Sequence, residues 1–310
     1  MVIGLNFVWK SKPHFMIRIR FLVGLMLIGI SAFSQNIHVG VFGGLAAYSG
    51  DLTKKIFPKK VTNGALGVTV NYELTPQIMA RLGFTYTVVG GADRNSDDTT
   101  LRARNLSFET HISEFSLVGE YYFFNLDEKP FSPYVFAGFA VFHFNPYAYQ
   151  NSTDKVFLKP LSTEGEGLSA YPDRKPYALT QLALPFGAGV KYAFNDRLRL
   201  GLELGLRKLF TDYIDDVSAT YVDPADLLAA RGQLAVDMSY RGDELPGGNP
   251  NYPAKGAQRG GVKHKDSYYF LGLHLTYRLG NGDNSTRSGV FGGGNFLGGK
   301  KKGYGCPSVH

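Results

Sequence analysis

The stretch "LRLGLELGLRKLF", residues 198–210, decides the fold class of this chain. Its even positions are leucine from Leu198 to Leu206 and Phe210 at the end, with Lys208 as the one exception. Its odd positions hold mainly glycine and charged side chains. A helix would spread the leucines around its surface, whereas a strand places them all on one face. The pattern therefore predicts a β-strand with one apolar and one polar face.

The same alternation recurs along the chain. Five further segments show it clearly: 65–74, 78–88, 113–123, 182–194 and 267–279. Two are weaker, because 36–48 loosens at its glycines and 133–144 is apolar on both faces, which leaves its inner side unassigned. The count is eight strands, in agreement with the high content of Phe (23), Tyr (19) and Gly (38).

The connections between these strands alternate in length. Four are long, at about 49–64, 89–105, 145–181 and 211–266. Three are short: "TPQ" (75–77), "NLDEKPFS" (125–132) and the two-residue "ND" (195–196). Outer-membrane barrels alternate in this way, with long loops outside the cell and tight turns in the periplasm. We therefore predict an all-β protein: an eight-stranded antiparallel up-and-down transmembrane β-barrel in an outer membrane. Its even strand count places the N- and C-termini in the periplasm.

The two faces of these strands predict what lies inside the barrel. A soluble lipocalin-like barrel would bury the apolar face, but the charges confined to one face, the loop pattern and the leucine row favour lipid outside. Eight strands leave an interior only wide enough for side chains, so a wide pore is not expected. Unpaired charges there would be costly, so we predict a network of lumen ion pairs. Its members are Glu73, Arg81, Glu114, Glu120, Lys191, Arg199, Glu203, Arg207 and Arg278.

Residues 1–35 are predicted to be a secretory signal peptide, with 1–15 as an upstream extension. A basic "MIRIR" precedes the apolar "FLVGLMLIGI" (21–30), which is short for a membrane anchor. Ala32 and Ser34 are the expected −3 and −1 residues of a cut before Gln35. The residue directly after that cut is Gln35 and not a cysteine, so a lipoprotein is not expected.

The formal charge of +7 belongs mostly to the two ends of the chain. Residues 1–35 carry four basic and no acidic side chains, and 280–310 carry four basic and one acidic. The segment 36–279, predicted to form the barrel, is therefore close to neutral, and no nucleic-acid partner is expected.

Residues 280–310 are predicted to be a flexible, basic, glycine-rich periplasmic tail. The tail holds Cys306, the only cysteine of the chain, and the run Lys300, Lys301 and Lys302. A lone cysteine in an oxidising compartment has no partner in its own chain. Two alternatives stay open: a free thiol, or an intermolecular disulfide to a partner whose acidic surface the lysines attract.

The sequence offers little sign of catalysis. Its histidines have no metal-ligand spacing, and its GxG pairs lie inside strands without a following helix, so no catalytic residue, metal or cofactor is predicted. Ser96, Ser113 and His111 are candidates for a barrel enzyme only by being available. The acidic segment "TDYIDDVSATYVD" (211–223) is either a surface cation or partner site or, as we favour, a solvated loop base.

Four segments are informative beyond their alternation: "GVFGGLAAYSGDL" (40–52), "FSPYVFAGFAVFHFNP" (131–146), "LPFGAGVKYAFNDRLRLGLELGLRKLFTDYIDDVS" (184–218) and the closing "GCP" (305–307). Together they resemble the PorG-type outer-membrane barrels of the type IX secretion system. The more specific parts are "RKLFTDYIDDVS" and the basic tail that contains "GCP". The long last loop, with "LPGGNPNYPAKGAQRGG" (245–261), departs from a minimal version.

The resemblance implies a non-enzymatic component of a protein secretion apparatus. In that family the barrel is associated with a periplasmic ring made of a lipoprotein and a soluble partner, and the machinery supports gliding in some bacteria. Two rival interpretations stay open. One is a surface barrel that acts as an adhesin or stabilises the envelope through its long loops, and the other is an outer-membrane barrel enzyme.

Overall fold

Eight strands form the wall of the molecule. The computed structural model describes residues 36–53, 62–151, 153–261 and 265–280. Two further strands, β6 and β7, form a hairpin beside the wall. In chain order the ten strands are β1 (Ile37–Ser49), β2 (Asn63–Thr75), β3 (Ile78–Ala92), β4 (Ser107–Tyr122), β5 (Phe131–His143), β6 (Tyr147–Gln150), β7 (Asp154–Phe157), β8 (Thr180–Ala193), β9 (Leu198–Leu209) and β10 (Ser267–Arg278).

Each wall strand pairs antiparallel with its neighbours along the chain, and β1 pairs with β10 to close the sheet. Pairing runs from β1 to β5 in sequence, then across the inserted hairpin to β8, β9 and β10. The closed ladder leaves these eight strands without an edge. The predicted eight-stranded up-and-down barrel is confirmed.

The outer wall is apolar and the inner wall carries the charges. Each of the eight strands contributes exposed side chains to the outer belt, among them Val41, Val68, Leu82, Leu117, Phe139, Phe186, Leu202 and Leu273. Exposed aromatic residues collect near the short turns, including Tyr121, Phe123, Phe131, Tyr192, Phe194 and Tyr277. An apolar belt with an aromatic girdle is the lipid-facing surface of a transmembrane barrel.

The structure also assigns the strand that the sequence left open. In β5 the buried residues Tyr134, Phe136, Ala140 and Phe142 face the lumen, while Val135, Phe139 and Val141 face outward. Both sets are apolar because the inward rings fill the lumen instead of lining a polar channel.

Two boundaries differ from the sequence prediction. The ladder between β3 and β4 continues to the pair Ala92 and Ser107, although we expected a loop over 89–105. The predicted two-residue turn is longer, because β8 ends at Ala193 and β9 begins at Leu198. Asn195 Oδ1 accepts from the backbone N–H groups of Arg197 (2.9 Å) and Leu198 (2.8 Å), and so stabilises this turn.

The long connections fold into a second body at one end of the barrel, which we call the cap (93–106, 144–179 and 210–266). It contains the β6–β7 hairpin, the short helix Thr99–Arg104 and the helices Pro224–Arg231 and Gln233–Ser239. Its apolar core joins the side chains at the top of the barrel: the rings of Phe144, Tyr177 and Tyr213 stack in series, with centroids 6.1 and 4.8 Å apart. Within the described ranges, no helix has the length and hydropathy needed to span a membrane.

The orientation of the wall gives a first prediction. Leu202 lies on the outer face, near the middle of β9, and we expect Leu202→Arg to destabilise the barrel by about 2–4 kcal/mol. Equilibrium unfolding in lipid vesicles measures this. Lys208→Arg, at the cap end of the same face, is the matched control and should change stability little. Equal effects of the two variants would contradict a lipid-facing β9.

Candidate functional site

The lumen holds three levels of paired charges. At the short-turn level, Arg278 donates to Glu73 Oε2 at 2.7 Å and to His38 Nε2 at 3.1 Å. Arg199 Nη2 lies 3.6 Å from Glu73 and 3.4 Å from Asp127, which belongs to the turn after β4. His38, Glu73, Arg199 and Arg278 come from four separate strands and are buried, and the Asp127 side chain from the turn is 14% exposed. The two arginines are therefore neutralised by two carboxylates.

The middle level is built around Arg81. Its guanidinium makes a two-pronged contact with Glu203 at 2.5 and 3.2 Å and lies 3.0 Å from Glu120. Lys191 Nζ lies 3.1 Å from the second oxygen of Glu120. Tyr134 donates to Glu203 at 2.8 Å, and Tyr122 donates to Glu120. Two acids and two bases thus neutralise each other with their oxygens engaged.

Glycines in β8 make room for the rings of this level. A Cβ on Gly189 would lie 2.7 Å from the Tyr134 ring, and one on Gly187 would lie 2.8 Å from Phe136. Such distances are too short for non-bonded carbon atoms, so the GxG spacing serves close packing of the lumen.

Three potential metal ligands converge at the middle level, but Arg81 fills the position between them. Ligand atoms of Glu120, Glu203 and His274 lie within 4.8 Å of one another. Arg81 Nη1 lies 3.0 Å from Glu120, 2.5 Å from Glu203 and 3.3 Å from His274 Nδ1. The other ring nitrogen of His274 faces Thr69 Oγ1 at 2.8 Å. The guanidinium supplies the positive charge that a metal ion would supply.

The level nearest the cap pairs Arg207 with Glu114. Arg207 donates to both oxygens of Glu114, at 3.2 and 3.3 Å, and Tyr268 donates to the same carboxylate at 2.6 Å. The guanidinium also lies 4.3 Å from the Phe270 ring centroid. A cavity bounded by Arg81, Thr85 and Phe270 measures about 20 Å³, room for about one water molecule.

The structure brings all nine predicted lumen residues to the inner face, and each takes part in an ion pair. Sequence analysis missed Asp127, His38 and the tyrosines Tyr122, Tyr134 and Tyr268 that complete the network. The alternation of the strands could have identified the three tyrosines as lumen residues, since they alternate with outward apolar residues. Asp127 lies in a turn, where alternation gives no direction.

Carboxylates are also buried in the cap, where the described residues include fewer basic partners for them than the lumen does. Tyr48, at the end of β1, donates to Asp215, and its hydroxyl lies 3.1 Å from Asp266 Oδ1. A phenol has one proton and can fully satisfy only one of these carboxylates, which favours a proton on the second carboxyl. Burial raises the pKa of both Asp215 and Asp266 well above the usual range, and for Asp215 the nearby Asp266 adds to it. Asp215 and Asp266 therefore share protons with Tyr48 across the barrel–cap junction.

A second group of cap acids surrounds one arginine. Glu164 is ion-paired with Arg259 at 3.0 Å and accepts from the N–H groups of Ser218 and Ala219. Burial, followed by the charges of Asp216 and Glu164, raises the pKa of Glu166 from 4.5 to about 8. Burial also raises the pKa of Asp216 to about 6, although Tyr177 and Thr163 donate to it. Among the described residues one guanidinium faces these three carboxyls, and the raised pKa of Glu166 favours its protonated form at neutral pH.

The acidic segment 211–223 is therefore not the solvated loop base that the sequence favoured. Asp212, Asp215 and Asp216 are all buried, because loop residues far apart in the sequence fold over them. Their pattern alone could not show this, since burial is decided by contacts with Tyr48, Thr163 and Ser218.

The cap also lines a cavity of about 890 Å³ that is open to solvent. Its walls include Asp51, Arg104, Tyr221, Tyr240 and Arg259. Arg104 is held by two 2.7 Å contacts with Asp93 and also donates to the carbonyl of Arg259, so it supports the wall. The cavity has the volume of a small-molecule site.

Two of the candidate enzyme residues, His111 and Ser96, have hydrogen-bond partners in the structure, and Ser113 lies half-buried in β4. His111 Nδ1 lies 2.7 Å from Tyr86 Oη, and its Nε2 lies 3.4 Å from Tyr147 Oη, so tyrosines occupy both ring nitrogens. Ser96 Oγ accepts from Asp98 N in the cap. Ala32, Ser34, Lys300, Lys301, Lys302 and Cys306 lie outside the described residues.

Comparisons with known proteins give a family match of unknown function and similarities to solved structures at low identity. A family described as "Domain of unknown function (DUF6089)" matches residues 17–163. No curated protein matches the chain. Three solved structures similar to it are Neisserial surface protein A (10% identity, TM-score 0.39, 78% of this chain and 96% of that one), OprG from Pseudomonas aeruginosa (12%, 0.39, 79% and 97%) and Ail of Yersinia pestis (8%, 0.35, 78% and 99%).

The lumen network gives a second prediction. Arg81→Met leaves Glu203 without its cation and should cost about 3–5 kcal/mol of unfolding free energy. The double variant Arg81→Met with Glu203→Leu removes both buried charges and should recover part of that loss. Equilibrium unfolding of the single and double variants measures the coupling. A double variant no more stable than Arg81→Met would contradict charge pairing as the reason.

The cap acids give a third prediction, for pH. Glu166, Asp212 and Asp216 have folded pKa values of about 8, 6 and 6, against 4.5, 3.8 and 3.8 when free. The folded cap therefore binds more protons, and the stabilisation that they give is complete below pH of about 4 and is lost as pH rises through 6 and then 8. Hydrogen-exchange protection of 211–222, corrected for intrinsic rates, should fall over this range.

Glu166→Gln should remove the upper part of this pH dependence, between pH 6 and 8. Glu244→Gln, in an exposed part of the cap, is the control and should leave the profile unchanged. Protection that does not vary with pH in the parent protein would contradict proton-dependent packing.

Proposed function

We propose that this protein is a non-enzymatic outer-membrane scaffold. Its barrel anchors it in the membrane, and its cap and its C-terminal tail contact other proteins. The observation that supports this most is the filled lumen: Arg81, Glu120, Glu203 and Lys191 cross-link its middle, and further pairs lie above and below. An interior occupied by ion-paired side chains suits an anchor better than a channel.

The finer proposal is a component of a type IX-like secretion apparatus that organises a periplasmic ring complex. It rests on the resemblance in "RKLFTDYIDDVS" (207–218) and in the tail. Residues of this segment join barrel to cap: Arg207 pairs with Glu114 in the lumen, and Asp215 contacts Tyr48. A motif that connects the barrel to the cap supports a shared architecture with that family. In the proposed orientation the cap is outside the cell and both termini are periplasmic.

The proposed partners are a ring lipoprotein and its soluble companion, bound through 280–310 with Lys300–Lys302 and Cys306. In bacteria that glide, the same apparatus would support motility. Cys306 would form an intermolecular disulfide with such a partner.

The fourth prediction tests this role. Deleting the gene should block secretion of cargo proteins. A variant lacking 280–310 should still insert in the outer membrane, because the strands end at Arg278, but should no longer co-purify the ring proteins from detergent-solubilised membranes. Cys306→Ser should abolish a partner-linked band on non-reducing gels. Normal secretion after deletion, with no ring protein recovered by the intact chain, would reject the proposal.

The folded cap and its cavity of about 890 Å³ favour a second candidate, a surface protein that binds a ligand or another cell through the cap. Replacing 224–248 with a short flexible linker should abolish function in that case, whereas removing 280–310 should not. Unchanged heat-dependent gel mobility shows that the barrel still folds in both variants. Function that is lost on removal of 280–310 but kept on replacement of 224–248 supports the scaffold.

A further inference from the structure

The β6–β7 hairpin carries aromatic side chains on the face that points away from the cap core. Tyr147 pairs with Phe157 and Tyr149 with Lys155, so these four side chains share a face. Tyr149 and Phe157 are 38% and 43% exposed. The opposite face holds buried Ala148 and Val156, which packs on the cap core. A loop hairpin in water normally turns polar side chains outward, and this one does not.

This aromatic face continues the lipid-facing wall of the barrel. Tyr147 stacks on His111 with centroids 5.6 Å apart, and His111 stacks on Tyr86 at 5.9 Å. Tyr86 and His111 point outward from β3 and β4, at the cap end of the apolar belt. The backbone contact of the hairpin with β4, between Tyr147 and Glu109, fixes the same alignment. The hairpin thus extends the membrane-facing surface beyond the wall.

One basic residue lies on this face among the rings. Lys155 Nζ is 3.5 Å from the Tyr147 ring centroid and 5.2 Å from that of Phe157. The Tyr147 hydroxyl donates to Glu109 at 2.9 Å, which fixes the ring beneath the ammonium group. Tyrosine and lysine are the residues that bridge apolar lipid chains and polar headgroups.

We propose that the aromatic face of the β6–β7 hairpin lies in the lipid headgroup layer at the cap end of the barrel. Tyr149 and Phe157 insert between headgroups, and Lys155 pairs with a lipid phosphate. The occupant is lipid because the surface is continuous with the lipid-facing belt through Tyr86 and His111. This contact fixes the cap against the membrane, and it follows from the transmembrane fold without depending on the proposed function.

Depth measurement by tryptophan fluorescence tests the proposal. Trp9 is the only tryptophan of the sequence, so the full-length chain with Trp9→Phe gives a dark background. Single reporters are then Tyr149→Trp on the hairpin, Phe139→Trp in the apolar belt and Leu228→Trp on an exposed helix of the cap. The proteins are reconstituted in phosphatidylcholine vesicles that contain chain-brominated lipids, which quench tryptophan by contact.

We expect Tyr149→Trp to be quenched less than Phe139→Trp and severalfold more than Leu228→Trp. The same composition in both leaflets makes the direction of insertion irrelevant. Quenching of Tyr149→Trp equal to that of Leu228→Trp overturns the proposal and leaves the aromatic face as a surface for a protein partner.

The charge on Lys155 has its own test. Replacing part of the phosphatidylcholine with phosphatidylglycerol should increase the quenching and blue shift of Tyr149→Trp. Adding Lys155→Gln should remove that increase, while Lys175→Gln, an exposed lysine elsewhere in the cap, should leave it unchanged. An increase that survives Lys155→Gln overturns the phosphate contact. Heat-dependent gel mobility confirms folding of every variant.

Discussion

The contact between Arg81 and its two carboxylates is the interaction on which the rest of the barrel depends. Eight strands leave an interior without room for bulk water, so any charge inside must find its counter-charge on another strand. Arg81 reaches Glu203, 122 positions away, and Glu120 on the adjacent strand. These pairs tie β3, β4 and β9 together across the lumen. The same network fills the lumen. Each strand therefore combines an apolar face towards lipid with a charged face whose partners lie on other strands.

The cap solves the problem of buried carboxylates in a different way. The lumen neutralises acids with arginine and lysine, whereas in the described part of the cap Asp215, Asp266 and Glu166 have fewer basic groups near them. Burial and mutual repulsion raise the pKa values of these groups, and protons take the place of cations. The barrel is thus expected to be insensitive to mild changes of pH, while the cap is sensitive. Tyr48 connects the two regions, because it belongs to β1 and its hydroxyl contacts Asp215 and Asp266 of the cap.

The outer surface also differs between the barrel wall and the cap. Residues that face lipid are apolar along most of the wall, with polar His111 and Lys208 towards the cap end, and the hairpin that leaves the wall after β5 continues the apolar surface through Tyr149 and Phe157. The remainder of the cap exposes mainly polar side chains, with Leu228 and Leu234 as exposed apolar exceptions. In the proposed arrangement the cap is attached to the membrane on one side and folded around its own core, which would give a partner protein a rigid surface to bind.

The sequence by itself determined the wall of the barrel. A period of two is a local property, so "LRLGLELGLRKLF" already separated lipid-facing leucines from the inward Arg199, Glu203 and Arg207. It also identified which nine charged side chains face inward. Only the tertiary structure decided which of them pair, because pairing depends on strand register and on distances across the lumen. The same holds for the inner face of β5, where both faces are apolar, and for Asp212, Asp215 and Asp216. These aspartates look like a solvated loop in the sequence, but residues from distant loops bury them, and burial of this kind leaves no periodic pattern.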